Sequence, residues 1–170
     1  WVTANHQSPA VANISITAAG TSSALETGLT NSIASGVTYS VAAGNSGLDA
    51  CNYTPARTPN ALTVGATDGT DTRAGYSNNG SCVDVFAPGN AILSLGIASD
   101  TATAWLSGTS MASPMVAGTA ALYLQTHPTA TPATIAQLIR STATTGVLTM
   151  NDTTSANLLL YSPLTTGPPP

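Results

Sequence analysis

Ser110 stands where an alcohol can do chemistry. It follows a small, turn-prone Ser107-Gly108 pair and opens an almost wholly apolar run that reaches Gln125. This pattern predicts a loop that delivers a hydroxyl to the first turn of a buried helix, where backbone N–H groups lack intrahelical acceptors and the helix dipole favours negative charge. Such a serine is either a helix cap or a nucleophile whose tetrahedral intermediate those same donors stabilise. Asn45 is the second candidate. It follows Ala42-Ala43-Gly44 at the end of an apolar run. Its amide is either a donor to a developing oxyanion or a turn residue in a left-handed conformation. A nucleophilic serine also needs a positioned base, normally a histidine oriented by a carboxylate. The chain has two histidines. His127, before Pro128, reads as a helix C-terminal cap, and His6, in Asn5-His6-Gln7-Ser8, as part of a surface turn. No catalytic Asp or His is assigned.

The run Gly108-Thr109-Ser110-Met111-Ala112, followed by Pro114, Val116, Ala117 and Gly118, resembles the nucleophile signature of the subtilisin-like serine proteases. Val41-Ala42-Ala43-Gly44-Asn45 resembles the same family's oxyanion-hole segment. The two motifs stand in the family's order, and the likeness to the proteinase K and aqualysin-like branch extends over nearly the whole chain. It implies Ser110 as nucleophile, Asn45 as oxyanion donor, and substrate walls at Ala42, Ala43 and Gly44 and at Ser15, Ile16 and Thr17. In that family the triad runs Asp, His, Ser. The expectation is therefore that this chain is the C-terminal part of a catalytic domain, residues 1–164, whose upstream part supplies Asp and His. Residues 165–170 read as a Pro-rich linker. The chain alone is expected to lack triad catalysis, to expose apolar surface and to self-associate. Two positions depart from the family: Thr17-Ala18 where it usually has glycines, and Met115 where it usually has His. The first favours an alternative, a non-catalytic binding module. A further alternative is an esterase that uses Ser110 with His6.

The resemblance also implies a structural calcium ion held by Asp84 and the carbonyls of Pro59 and Ala61. Read from the residues alone, Asp84 is equally a solvated carboxylate at a strand edge. Cys51 and Cys82 fit either a disulfide or two buried thiols. The resemblance implies the bridge, and hence an oxidising, secreted setting.

Elements must hold these residues in place. Residues 11–16 and 37–43 read as strands around a helix capped at residues 21–23. In that helix Ala24, Leu25, Gly28, Leu29, Ser32 and Ile33 recur at helical spacing, and Gly36 ends it. Strand, helix and strand in about 35 residues make a right-handed βαβ unit and hence a parallel sheet. Residues 62–66, 83–86 and 91–95 read as further strands, and 46–60 and 96–107 as irregular. A last helix starts at Thr131-Pro132, and the residues after it read as peripheral. The expected fold is α/β, a mainly parallel sheet with helices on both faces and the Ser110 helix central and buried. Composition narrows the function classes. Only 6% of residues are charged and three are basic. The chain therefore offers no basic patch for nucleic acid or anionic lipid. No apolar run is long enough to span a membrane. A peptide or protein is the expected substrate.

Overall fold

A computed structural model describes residues 1–162. The proposed linker, 165–170, lies outside them. A short helix α1 (Val2–Asn5) leads into β1 (Ala10–Ile14) and a two-residue strand β2 (Ala18–Ala19). Helix α2 (Ser23–Ala34) then returns the chain to β3 (Val37–Ala42). Ser22 caps α2 by accepting the Leu25 N–H, and Gly36, at φ +107°, turns the chain out of it. β1 and β3 are parallel, as the βαβ reading requires.

Beyond β4 (Tyr53–Thr54) come β5 (Leu62–Thr67) and β6 (Val85–Pro88). The hairpin β7 (Ile92–Leu95) and β8 (Thr103–Leu106) follows, then α3 (Thr109–Thr126) and α4 (Pro132–Thr142), and finally β9 (Thr144–Thr145) and β10 (Leu158–Leu159). The main sheet has the order β1-β3-β5-β6-β10-β9 and is parallel except for β9 at its edge.

Alternation along the central strands divides the core. On one face Val37, Tyr39 and Val41 pack against Leu29 and Ile33 of α2, which lie one helical turn apart. On the other, Leu62, Val64, Ala66 and Val85 pack against Ala112, Val116, Ala120 and Leu124 of α3 and against Ile135 and Ile139 of α4. All six residues of β3, and all six of β5, are buried, as expected of parallel strands covered on both sides. Gly65 has no side chain because the Phe86 ring fills that space.

Two expectations need correction. Residues 96–107 are not irregular throughout, since Thr103–Leu106 form β8 against β7. The segment after α4 is not merely peripheral, because β10 pairs with β6 in the main sheet. Helix α3 is buried on the side that faces the sheet and exposed on the other. Pro114, Met115, Gly118, Ala121 and Leu122 form an exposed apolar stripe, with Met115 39% and Leu122 49% accessible. The sheet covers one side of α3, and no other layer of the described residues covers this one.

Candidate active site

Ser110 is the second residue of α3, behind Gly108 at the helix N-cap. Its own N–H is one of the first-turn donors with no intrahelical partner. Pro114 lies four residues further on, inside the helix. Proline has no N–H, so the Ser110 carbonyl loses the donor a regular helix would give it. The Ser15 hydroxyl takes over that role and donates to the Ser110 carbonyl at 2.9 Å. In return the Ser110 hydroxyl donates to the Ser15 carbonyl at 3.1 Å. The end of β1 and the start of α3 are thus locked by a reciprocal pair. A second lock lies one turn on. The Ser113 hydroxyl donates to Asn13 Oδ1 at 2.6 Å, and the Ser40 hydroxyl donates to the Ser113 carbonyl at 2.8 Å.

Asn45 lies beside this turn. Its Oδ1 accepts both the N–H and the hydroxyl of Thr109, each at 2.9 Å. Both donors fix which way the amide faces. Oδ1 is spoken for, and Nδ2 is left as the donor beside Gly108. The Thr109 hydroxyl in turn accepts the Gly44 N–H at 3.1 Å. Asn45, Gly44 and the residue before Ser110 are therefore one hydrogen-bonded unit. Asn45 Nδ2, 3.3 Å from where a Gly108 Cβ would sit, and the first-turn N–H of Ser110 are thus two donors at the same end of α3.

The loop carrying Asn45 rests on a residue that the sequence reading missed. Asn78 is fully buried. Its Nδ2 donates to the Ala43 carbonyl at 2.9 Å, and its Oδ1 accepts the N–H groups of Ser46 and Leu48 at 3.0 and 3.1 Å. Its own N–H donates to the Gly44 carbonyl at 2.9 Å. One residue here substitutes for a neighbouring strand. Gly44, at φ +106°, is glycine because a side chain there would overlap Asn78. No spacing rule flags Asn78. The only signal is its place in Ser77-Asn78-Asn79-Gly80, which reads simply as a turn.

The residues expected to wall the substrate site come together in part. Ala42, Ala43 and Gly44 are buried, and the Thr17 hydroxyl lies 3.2 Å from where a Gly44 Cβ would sit. The two segments therefore face each other. Ser15 is tied to Ser110, whereas the Ile16 side chain is 75% exposed and turned away from the core. β2, just beyond Thr17, is exposed and pairs on one edge with β4. Among the described residues its other edge has no strand partner.

Neither histidine serves Ser110. His127 caps the far end of the 18-residue α3, roughly 25 Å away along the axis. There it stacks on Tyr123, with ring centroids 4.1 Å apart. His6 sits before β1, at the opposite end of that strand from Ser15, and its Nδ1 lies 3.2 Å from the Val2 carbonyl. The esterase alternative therefore lacks its base. Among the described residues, the Ser110 hydroxyl donates to a carbonyl, which orients it but does not deprotonate it.

Pro59, Ala61 and Asp84 border a separate cavity of about 340 Å³. Asn60 between them has φ +68°, which turns the chain sharply at its rim. One carboxylate and two carbonyl oxygens are a donor set that suits a hard cation. The Asp84 carboxylate is also engaged by protein groups. Oδ2 accepts the Thr63 N–H at 2.8 Å, and Oδ1 accepts from Arg140 Nη1 at 3.0 Å. Burial pushes the Asp84 carboxyl above the usual carboxylate range, against the pull of the Thr63 N–H and the Arg140 charge. These oxygens are of the chemical kind calcium takes, and Arg140 already holds one of the two carboxylate oxygens. Next to this cavity Cys51 and Cys82 form a disulfide with a Cα–Cα distance of 5.3 Å.

Residues 1–159 match the subtilase (peptidase S8) family model. An extracellular serine proteinase of Thermus sp. (strain Rt41A) is 54% identical over 163 residues, which is 96% of this chain and 40% of that protein. Alkaline serine exoprotease A of Vibrio alginolyticus is 51% identical over 163 residues, 95% of this chain and 30% of that protein. The crystal structure of a cold-adapted subtilisin-like serine proteinase superposes with a TM-score of 0.88 at 47% identity. That alignment covers 95% of this chain and 58% of the other. The chain thus spans less than half the length of these two curated relatives.

Proposed function

This chain belongs to the subtilase family, and from that premise we propose that it is the nucleophile-bearing part of a secreted serine endopeptidase. Ser110 Oγ attacks the scissile carbonyl carbon of a peptide. Its proton passes to a histidine supplied by the upstream part of the same catalytic domain. The developing oxyanion is caught by Asn45 Nδ2 and the Ser110 N–H. The histidine then returns the proton to the leaving amine, and water hydrolyses the acyl-enzyme. The observation that carries this reading is the Thr109–Asn45 contact, which fixes an amide donor one residue from the nucleophile. Taken alone, the chain has only the catalysis that an oxyanion hole and binding provide.

The same reading assigns the exposed stripe of α3 to contact with the upstream part of the domain, or with a second copy when that part is absent. It assigns a calcium ion to Pro59, Ala61 and Asp84, where it would tie the 56–61 loop to the start of β6. The disulfide supports an oxidising, extracellular location. The β-carbons at Thr17 and Ala18, where an extended substrate must approach closely, favour a second reading as a non-catalytic module.

A fluorophosphonate probe separates these readings. The isolated chain is expected to label slowly. The chain joined to a relative's upstream segment, with its Asp and His, is expected to label rapidly at Ser110 and not after Ser110→Ala. Rapid labelling of the isolated chain would overturn the assignment of the base to another segment. Failure of the joined chain to label would favour the non-catalytic module.

A further inference from the structure

Arg140 is the last-turn cation of α4. A basic residue there is favoured by the helix dipole, so local electrostatics alone would keep it near the helix end. It instead reaches across 56 positions of sequence to Asp84, with Nη1 3.0 Å from Oδ1. Among the described residues, Asp84 is the sole carboxylate bordering the cavity that also holds Pro59 and Ala61, and Arg140 borders it too. Its other oxygen is occupied by the Thr63 N–H.

We infer that Arg140 is a tethered rival of the calcium ion for the Asp84 carboxylate. This inference rests on the calcium reading above. A divalent ion on Asp84 and a guanidinium on the same carboxylate oxygen place like charges within a few ångströms, so the two exclude each other. The ion enters only as Arg140 leaves. The exchange is open to Arg140 because its side chain is 44% accessible and the helix C-terminus offers its carbonyls as an alternative partner. The backbone of α4 has no reason to move with it, since Ile135, Ala136 and Ile139 anchor the helix in the core. Arg57 borders the cavity as well but pairs with Glu26 at 3.6 Å, so without calcium Arg140 is the guanidinium that holds Asp84. With calcium, the ion must first displace it. The arginine thus sets the calcium concentration at which the loop becomes clamped.

Calcium titrated calorimetrically into the EDTA-treated chain tests this, with circular dichroism as a check that each variant is folded. Arg140→Ala is expected to bind calcium about fivefold more tightly or better, the factor that corresponds to a half-exposed ion pair. Arg140→Gln keeps most of the stem and removes the charge, and is expected to behave in the same way. Arg140→Lys is expected to stay near the parent. Asp84→Asn is expected to abolish binding. Equal calcium affinity in the parent, Arg140→Ala and Arg140→Gln would overturn the rivalry and leave the calcium reading intact. No binding in any of them, or binding undiminished by Asp84→Asn, would overturn the calcium reading and the inference with it.

Discussion

Replacing Asn78 with alanine removes one side chain and leaves three backbone groups without partners. The Ala43 carbonyl loses its donor, and the N–H groups of Ser46 and Leu48 lose their shared acceptor. These groups are not equivalent. Ala43 is fully buried, so its carbonyl has no access to water in exchange, and an orphaned buried acceptor costs about 1–3 kcal/mol. Ser46 and Leu48 lie on an exposed loop, so each lost bond there costs closer to the net value of about 1 kcal/mol. The expected destabilisation is about 3–5 kcal/mol, a large share of the roughly 5–15 kcal/mol that holds a domain together. Urea unfolding followed by circular dichroism measures it, and hydrogen exchange locates it. The Ser46 and Leu48 amides should exchange at least about tenfold faster than in the parent, whereas those at the centre of β5 change only by the global loss. Because Asn45 lies between Gly44 and Ser46, the oxyanion donor should lose its fixed position as well. A loss below about 1 kcal/mol with unchanged exchange in the loop would refute the view that Asn78 builds this segment.

Thr109→Val removes the hydroxyl that orders both Asn45 and Gly44 but keeps the shape. In the joined, active enzyme it should lower kcat by about tenfold or more with little change in KM, and an unchanged kcat would count against the fixed-amide argument. Paired Cys51→Ser and Cys82→Ser changes open a loop of 31 residues' separation. They should cost about 4 kcal/mol by the chain-entropy account, read as a lower urea midpoint. Asp152 is half-buried beside the buried Arg73, with Nε 3.5 Å from Oδ2. Burial works to raise its carboxyl, but the N–H groups of Ser155 and Thr154 and the Arg73 charge outweigh it and hold it below the ordinary value of 3.8. A depressed carboxyl stabilises the fold above its unfolded pKa and stops doing so as pH falls through the folded one. Stability should therefore decline on acidification below about 4, and Asp152→Asn should flatten that decline in pH-dependent urea titrations. Finally, Leu122→Lys on the exposed stripe of α3 should reduce self-association in sedimentation velocity. A parent chain that is already monomeric at high concentration would sink that expectation.

Much of the scaffold was legible because its signals are local. Ser22 and Gly36 bracket α2, Thr131-Pro132 opens α4, and Leu29 and Ile33 lie one turn apart. Caps and periodicity act within a turn or two of chain, so the residues involved carry the information themselves. The reading failed where the partner is distant. β8 has a short, weakly patterned sequence and exists through its pairing with β7. β10 is two residues long and is held by β6, whose Phe86 pairs with Leu159 from the far side of α3 and α4 in the sequence. The apolar run of α3 reads as a core helix in a chain that exposes apolar surface, but which of its faces is uncovered was not legible, because composition cannot tell how many layers surround a helix.

The candidate site divides along the same line. The order of residues alone determined that a serine would open a helix after a glycine turn and that an asparagine would end a buried strand; that Pro114 leaves the Ser110 carbonyl without a helical donor emerged with the helix itself. Only the folded sheet decided that Ser15 fills that gap across 95 positions, that Thr109 aims the Asn45 amide across 64, and that Asn78 carries the loop between them. Backbone preferences are set by neighbours a few bonds away. The direction of a buried amide is set by whichever donors the strand register brings within about 3 Å of it.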